Sequence, residues 1–442
     1  MTDLNLLADL IAAARKAGAD QADAVLVGGA SLSVQRRLGK TEHVERSENR
    51  DVGLRVFVGQ KIASVSATTL DPAGFAALAE RAVAMAKVVP DDPFASLADP
   101  QVPPDAAWLD LVDAAEPSAE TLVARAAAAE EAALAVPGIT NSEGASAGYG
   151  RTDIFLVTSA GFAGSAARTS HSISAVVLGG TGTDMQRDYD YHSAVHLSDL
   201  DDPAAIGRSA GERTMARLNP TRPKTGTVAV VFDPRLSGGL VGHLLGAING
   251  AGVARGTSFL KDKMGARIFA PGIRILDDPH RIRGLRSRAF DAEGLPTKPL
   301  ALIEDGILQS WLLDLRSARQ LKLTSTAHAG RGTNGPPSPG PSNAYLAAGT
   351  VSPAELMADI KEGLYVTELA GMGINGLTGD YSRGAAGFMI RNGQRAEPVA
   401  EITIAGNLID MFLRMIPAND LTFRRGTDAP TIRIDGLTMA GA

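Results

Sequence analysis

Residues 367–410 read TELAGMGINGLTGDYSRGAAGFMIRNGQRAEPVAEITIAGNLID, and this stretch decides the fold of the C-terminal half. Strand-like runs lie on both sides of the turn sequence Arg-Asn-Gly at residues 391–393, which is typical of a β-hairpin. A second hairpin signal, Glu-Asp-Gly, occurs upstream at residues 304–306. The pattern predicts a β-rich C-terminal domain over residues 219–442. Its polar and glycine content is too particular for simple core filling.

Toward the N-terminus, helical and strand-like periodicities alternate. A helical pattern followed by strand-like runs indicates a small α/β unit over residues 1–90. A Pro- and Asp-rich linker is predicted at residues 91–117, and a helix with successive β-hairpins at residues 118–218. The predicted fold class is therefore α+β (mixed α/β), with a small N-terminal α/β unit, a helix plus antiparallel-sheet middle region and a β-rich C-terminal domain.

Composition bounds the class of protein. The chain has 442 residues, of which 45% are apolar and 21% charged, as in a globular protein of two or three domains. No apolar run approaches the roughly 18 residues needed to span a bilayer, and the N-terminus lacks the basic start of a signal peptide. The chain has no cysteine, which excludes disulfides, thiolate ligands and cysteine nucleophiles. We therefore expect a cytoplasmic location and no membrane partner.

Charge argues against a nucleic-acid partner. A net charge of −6 offers little attraction to a phosphate backbone. The most basic segment, RIRGLRSR at residues 281–288, lacks interleaved aromatic residues, so a solvated loop face explains it more simply. We predict no direct nucleic-acid partner.

Two glycine motifs match known signatures but lie in the wrong context. GASAG at residues 144–148 fits the GxSxG pattern of a nucleophile elbow, but a strand pattern follows it, so we predict a hairpin turn. GMGING at residues 371–376 fits GxGxxG, but no helix start follows it. Its glycines are predicted to let two backbone segments pass close together.

The histidine pair in HSAVH suggests a metal-binding site. His192 and His196 have the spacing that places two imidazoles on one face of a helix, but Ser193 stands where a zinc peptidase needs its glutamate. The surrounding residues alternate like a strand, on which residues four apart lie about 13 Å from each other. A metal ion shared by this pair is therefore excluded.

The stretch at residues 367–410, together with GILQSWLLDLRSARQLKLTSTAHAG at residues 306–330, resembles the PmbA branch (also called TldE) of the TldD/PmbA family. In the TldD branch, a metallopeptidase site consists of an HExxxH helix and a later cysteine, and this chain has neither. GGLVGH at residues 238–243 can be aligned with the HExxxH motif so that His243 matches the second histidine. In this alignment, Gly238 and Gly239 replace the first histidine and the glutamate. His243 is thus a degenerate metal position, and we predict no metal ion or cofactor in this chain.

The resemblance implies a cytoplasmic metalloprotease assembly in which a TldD-like subunit carries the zinc. This chain would form a heterodimer with that subunit, or a homodimer, and would help to hold extended or unfolded peptides without catalysing hydrolysis. Two alternatives stay open, so its status as an enzyme is undecided. One is a protein that modulates DNA gyrase without enzymatic activity, and the other is a stand-alone metallopeptidase with ligands among carboxylates and five histidines. Those histidines are His171, His192, His243, His280 and His328.

The candidate peptide-binding residues lie in the same two stretches. A polar cluster between glycines comprises Asp380, Tyr381, Ser382 and Arg383. Small residues around an Asp and an Arg are typical of a groove in which a backbone passes, such as an extended peptide added to a sheet edge. An internal Asp–Arg salt bridge that braces a turn is the alternative, and the two are compatible. His328, beside the Gly- and Pro-rich segment 330–343 that we predict to be an exposed loop, has either a ligand-facing or a turn-stabilising role.

Overall fold

The computed structural model describes residues 2–442 and contains one large sheet in the N-terminal half and two in the C-terminal half. The N-terminal sheet is entirely antiparallel, with strand order β3-β2-β1-β4-β5-β6. Its strands are β1 (Gln21–Arg37), β2 (Lys40–Val58), β3 (Lys61–Ala67), β4 (Ile139–Thr158), β5 (Ala163–Gly179) and β6 (Gln186–Ala194).

Four helices cover this sheet, each burying an apolar stripe. They are α1 (Asp3–Lys16), α2 (Phe75–Val88), α3 (Ala119–Leu134) and α4 (Pro203–Ala216). In α1, Thr2 caps the N-terminus, and Leu7, Leu10 and Ile11 recur at helical spacing on the buried face. Helices α1 and α2 share one core cluster with β1, β2 and β3, whereas α3 and α4 share a second with β4 and β5.

One sheet passes through the predicted first unit and the predicted middle region. Strand β1 pairs with β4 from Asp23↔Thr158 to Arg36↔Ala145. Each half of the sheet nevertheless has its own buried cluster. The division of the chain at residues 1–90, 91–117 and 118–218 stays a prediction.

The C-terminal half is built from short strands and a closed barrel. Its strands are β7 (Gly226–Phe232), β8 (Ile275–Asp277), β9 (Leu300–Glu304), β10 (Ile307–Leu308), β11 (Ala329–Gly330), β12 (Ser338–Pro339), β13 (Ala344–Leu346), β14 (Glu362–Ala370), β15 (Asp380–Arg391), β16 (Gln394–Asn407), β17 (Met415–Pro417), β18 (Thr427–Asp428) and β19 (Ile432–Ala440). The order β16-β15-β14-β7-β19-β17 includes a further pairing of β16 with β19, which closes five strands into a barrel. A second sheet has the order β10-β9-β8-β13-β18.

Short helices pack around the barrel. They are α5 (Pro234–Ala247), α6 (Gly250–Ala254), α7 (Leu315–Gln320), α8 (Pro353–Met357) and α9 (Leu408–Leu413). The largest core cluster of the described residues joins the barrel strands to α5, α9 and the second sheet. None of the helices within residues 2–442 combines the length and apolar character needed to cross a bilayer.

Local turn chemistry agrees with the sequence. Asp305-Gly306 and Asn392-Gly393 each adopt positive φ at both residues, as tight two-residue hairpins require, and join β9 to β10 and β15 to β16. The α+β prediction is confirmed.

One local prediction was wrong, and another holds only in part. GASAG at residues 144–148 is no hairpin turn but lies inside the long strand β4, where a bulge between Ser142 and Gly144 accommodates the positive φ of Gly144. Segment 330–343 is only partly an exposed loop, because Gly330 pairs with Ser338 and the side chains of Pro337, Pro339, Ser342 and Asn343 are buried.

Candidate functional site

Helix α5 directly follows barrel strand β7 and carries the degenerate metal position. Asp233 caps its N-terminus by accepting a hydrogen bond from the backbone N–H of Arg235. Leu240 and Leu244 anchor one face of the helix in the barrel core. This packing fixes the rotation of α5, and with it the half-buried side chain of His243.

The position that the resemblance gives to the first histidine is sterically closed. A Cβ atom on Gly238 would lie 2.5 Å from the backbone oxygen of Thr427 in β18, a distance that real Cβ atoms essentially never show. A Cβ atom on the adjacent Gly239 would meet nothing within 4 Å. Helix α5 therefore packs against β18 through a contact that only glycine allows, and a histidine at residue 238 would displace that strand.

The surroundings of His243 do not suit a metal ion. Its imidazole lies edge-to-face against the ring of Tyr381, with ring centroids 6.0 Å apart. Burial lowers the pKa of His243, and the Arg383 guanidinium lowers it further, so the imidazole is neutral at pH 7. A nearby cation repels a divalent metal, and catalytic zinc needs three protein ligands. Within residues 2–442, no group of three or more His, Cys, Asp or Glu side chains is arranged to hold a metal. The residues around α5 do not fit a catalytic zinc.

Strand β15 divides the predicted polar cluster between two environments. Tyr381 is 1% exposed and Arg383 is half-buried, whereas Asp380 and Ser382 are exposed on the other face of the strand. The Tyr381 hydroxyl has no hydrogen-bond partner within residues 2–442, and burial raises its pKa to about 12. The structure thus brings Tyr381 and Arg383 together with His243 and separates them from Asp380 and Ser382.

Asp380 braces a turn, but with partners other than Arg383. Its carboxylate accepts hydrogen bonds from the Thr378 hydroxyl at 2.6 Å and the Asn407 amide at 3.1 Å, and these bonds lower its pKa. The Nε–H of Arg383 donates instead to the carbonyl oxygen of Ala370, 3.2 Å away. The expected Asp–Arg salt bridge is replaced in this way because residues three apart on a strand lie on opposite faces.

Both edges of β15 are occupied at this point. Strand β16 pairs along one edge from Asp380↔Asn407. On the other edge, the Ser382 N–H donates to the Gly373 carbonyl at 2.7 Å, and the Asn375 N–H donates to the Asp380 carbonyl at 2.9 Å. The expectation of a peptide added as a strand here is therefore corrected, since only side chains remain available. The close backbone approach predicted for GMGING is confirmed, because a Cβ atom on Gly373 would clash with the Ser382 backbone oxygen.

The loop at residues 371–379 presents two large apolar side chains to solvent. Met372 is 92% exposed and Leu377 is 63% exposed. The Phe259 N–H donates to the Gly376 carbonyl at 3.0 Å, so the loop is held from a second side. These two exposed side chains make the loop the candidate binding surface of this region. Sequence reasoning missed Met372 and Leu377, although both stand out as large apolar residues among glycines.

His328 lies apart from this surface. It is 2% exposed, its Nδ1 lies 2.7 Å from the Thr326 carbonyl oxygen, and its Nε2 lies 3.1 Å from Oδ2 of Asp277. Asp277 also accepts hydrogen bonds from the backbone N–H and the hydroxyl of Ser342. This geometry is that of a turn-stabilising histidine and does not support a direct peptide contact.

Among the other histidines, His171 and His192 lie on the neighbouring strands β5 and β6, whereas His280 lies in the C-terminal half. Their neighbours are Asp113 for His171 at 3.2 Å, Asp201 for His192 at 3.3 Å and Thr297 for His280 at 3.2 Å. Strand β6 includes His192 but ends at Ala194, so the strand prediction for HSAVH is confirmed for its first three residues, and His196 lies just beyond the strand. The proposed alternative ligand set is therefore not assembled in one place.

The basic segment at residues 281–288 makes intramolecular contacts. Arg283 forms salt bridges with Asp110 at 2.6 Å and with Asp199 at 3.0 Å. Arg288 donates to the carbonyl oxygen of Gly340 at 3.1 Å. The segment is therefore more than a solvated face, and the absence of a nucleic-acid partner stays a prediction.

A buried charge cluster, which sequence reasoning missed, joins the N-terminal sheet to the C-terminal half. Asp23 of β1 accepts hydrogen bonds from Arg55 of β2 and, at 2.5 Å, from Arg331. Glu293 is 5% exposed, and burial and then the charge of Asp291 raise its pKa to about 8. Arg331 thereby anchors segment 330–343 in the protein interior. No local sequence pattern signals this cluster, because its members are distant in sequence.

Three models of one family match the chain in order. The PmbA/TldA metallopeptidase domain 1 matches residues 22–86, the central domain residues 113–218 and the C-terminal domain residues 225–441. Fold and family models together are thus those of a metallopeptidase-related α+β protein. The chain belongs to the PmbA/TldD family, which confirms the resemblance.

Individual relatives cover nearly the whole chain. This chain is 38% identical to Metalloprotease PmbA of Escherichia coli O157:H7 over 425 residues, and the matched region covers 96% of this chain and 92% of the relative. The Metalloprotease PmbA homolog of Haemophilus influenzae is 34% identical and covers 97% and 94%. A crystal structure from Bacteroides thetaiotaomicron, named as a candidate modulator of DNA gyrase, has a TM-score of 0.90, 26% identity and 100% coverage of both chains. TldE from Thermococcus kodakarensis shares the fold, with a TM-score of 0.88, 21% identity and coverage of 99% and 100%.

Proposed function

We propose that this chain is the non-catalytic, PmbA/TldE-like subunit of a cytoplasmic metalloprotease pair in which a TldD-like partner carries the zinc. The contact between Gly238 and Thr427 carries the proposal, because it leaves no room for the first histidine of an HExxxH helix. Gly239 supplies no carboxylate to deprotonate a zinc-bound water, and Arg383 places a cation beside the remaining imidazole. The shared name of the two relatives, metalloprotease, supports the reaction assigned to the pair.

In this proposal, the chain holds extended peptides with the loop at residues 371–379 and the neighbouring end of β15. Met372 and Leu377 provide apolar contacts for peptide side chains, while the half-buried Arg383 provides a positive charge for carbonyl or carboxylate oxygens. Because both edges of β15 are already paired, recognition through side chains replaces strand addition. Contacts of this kind are tolerant of peptide sequence, as a subunit for unfolded substrates requires.

The first test measures metal content by elemental analysis and peptide hydrolysis in the same sample, alone and mixed with a TldD-like partner. We expect less than stoichiometric metal and no hydrolysis by the chain alone, with hydrolysis in the mixture. Stoichiometric zinc with activity alone would establish the stand-alone peptidase instead. Binding to gyrase without any effect on peptide hydrolysis in the mixture would favour the gyrase-modulating alternative.

The second test addresses the peptide surface. The double variant Met372→Ser/Leu377→Ser removes only exposed side chains, so we expect it to fold normally and to raise the KM of the mixed enzyme without lowering kcat. Val102→Ser is the matched control, because Val102 is an 88% exposed apolar residue outside the loop. An unchanged KM in the double variant would refute the assignment of the peptide surface.

A further inference from the structure

One side of helix α5 is open and carries a single large side chain. Gly239, Gly242 and Gly246 follow one another at helical spacing, so they lie on the same side of the helix as His243. A Cβ atom added to any of these three glycines would meet nothing within 4 Å. Open space therefore borders the His243 imidazole along the helix, and a ligand has room to approach it.

Strand β15 places two polar side chains beside this imidazole. Tyr381 and Arg383 are two residues apart, so they share one face of the strand. The Tyr381 ring meets the imidazole edge-to-face, and its buried hydroxyl lacks a partner within residues 2–442. Since burial raises the pKa of Tyr381 to about 12, the hydroxyl keeps its proton at pH 7. A buried donor without an acceptor is unfavourable, so an acceptor atom brought by a ligand would be stabilised there.

The guanidinium of Arg383 is only partly satisfied by the protein. Its Nε–H donates to the Ala370 carbonyl at 3.2 Å, whereas within residues 2–442 its terminal nitrogens have neither a hydrogen-bond acceptor nor a salt-bridge partner. Asp380 lies on the other face of β15. Among the described residues, Arg383 is the only charge that shifts the pKa of either His243 or Tyr381. The site therefore combines one uncompensated positive charge with several free donors.

This combination matches a carboxylate. A guanidinium can donate through two parallel N–H groups to the two oxygens of a carboxylate, and one cation balances one negative charge. The phenol of Tyr381 supplies a further donor, and the neutral imidazole of His243 supplies one more. A divalent cation is repelled by the guanidinium. A phosphate group carries up to two negative charges, which a single guanidinium does not balance.

The site adjoins the loop at residues 371–379. The Ala370 carbonyl that accepts the Arg383 Nε–H directly precedes this loop. Tyr381 is joined to the loop by a β-bridge with Ile374. The guanidinium and the exposed apolar side chains of the loop are thus held by the same short stretch of backbone. A peptide whose side chains lie on the loop brings its end beside Arg383.

We infer that Arg383, Tyr381 and His243 form a recognition site for the C-terminal carboxylate of a peptide. The inference rests on the proposed function and narrows it. The peptides that this chain holds are those with a free C-terminal end, as short fragments and cleavage products have. The carboxylate lies against the guanidinium, and the preceding apolar side chains lie on the loop.

The test measures peptide binding to the full-length chain by fluorescence anisotropy at about 50 mM salt, where surface charges are weakly screened. Two N-terminally fluorescein-labelled pentapeptides of alanine and leucine are compared, which differ only in having a C-terminal carboxylate or a C-terminal amide. We expect the wild type to bind the acid at least about tenfold more tightly than the amide. Sodium acetate should compete with the acid peptide and leave binding of the amide unchanged.

Three variants locate the preference. Arg383→Gln should bind both peptides with the affinity that the wild type has for the amide. Tyr381→Phe should reduce the preference for the acid about threefold or more, because a donor to the carboxylate is lost. Arg15→Gln is the matched control, since Arg15 is an exposed cation in the last turn of α1, and it should keep the full preference. Thermal melting verifies that each variant is folded.

The outcomes separate this inference from the proposed function. Equal affinity of the wild type for the acid and the amide would overturn the carboxylate site and leave the peptide surface of the loop intact. A preference that survives Arg383→Gln would also overturn it, as would competition by inorganic phosphate without any preference for the acid peptide, which would indicate a site for a free anion. If neither peptide binds, either to the chain alone or in the mixture with a TldD-like subunit, the proposed function fails and this inference fails with it.

Discussion

The steric argument against a metal site can be tested by replacing each of two adjacent glycines of α5 with alanine in separate variants. Both glycines lie within the helix, so either substitution gains about 0.5–1 kcal/mol of helix propensity. Only Gly238→Ala creates a clash, because its Cβ atom lies 2.5 Å from the Thr427 backbone oxygen, whereas ordinary contact begins at 3.4 Å. To remove this clash, α5 must move away from β18 by a large part of the gap between these two distances, which should destabilise the fold by about 1–3 kcal/mol.

Since the propensity gain is common to both variants, it cancels when they are compared. Gly239→Ala should therefore be more stable than Gly238→Ala by about 1–3 kcal/mol. This corresponds to a Tm difference on the order of 5 °C for a unit the size of the C-terminal half, measurable by differential scanning calorimetry. Equal melting temperatures would show that α5 has room for a side chain at residue 238. The steric reason for excluding the first histidine would then fail.

Three further predictions concern buried polar groups. Glu293 is neutral in the folded chain below its pKa of about 8 but ionises near 4.5 when the chain is unfolded, so the stability of the wild type should fall as pH rises from about 4.5 to 8. The Glu293→Gln variant should lack this fall. Parallel curves of Tm against pH for the two proteins would contradict this prediction. Asp23→Asn leaves Arg55 and Arg331 buried without their shared carboxylate, so it should lower the free energy of unfolding, measured in urea, by about 3–5 kcal/mol. A loss below about 1 kcal/mol would contradict this prediction. Tyr381→Phe removes a hydroxyl without a partner within residues 2–442, so stability should stay equal or rise by about 1 kcal/mol, and a clear loss would reveal a missed partner.

Local sequence determined most of the secondary structure. The spacing of Leu7, Leu10 and Ile11 predicts α1, and the Asn392-Gly393 turn predicts the β15–β16 hairpin, because both depend on residues close together in the chain. The close approach of Gly373 to a second backbone segment was also predictable from glycine content. By contrast, GASAG carries turn-forming residues but lies inside β4, where pairing with β1 and β5 on both sides outweighs the local preference.

The candidate site was only partly predictable for the same physical reason. The sequence alone identified His243 as a lone histidine and placed Tyr381 and Arg383 in a polar cluster. Only the tertiary structure decided that Tyr381 packs against His243 with Arg383 nearby, that His328 is buried elsewhere, and that β15 is paired on both edges near Asp380. Desolvation and steric contact depend on neighbours that local patterns do not encode.

The sequence by itself determined the family, the α+β class and the missing ligand motif, because each is a property of residue identity and local spacing. The tertiary structure decided why that motif has no place on α5. The Thr427 backbone that closes the Gly238 position lies far along the chain, and pairing of β16 with β19 closes the barrel in which α5 is anchored. Contacts between distant segments are set by packing of the whole core, so no window of sequence contains them.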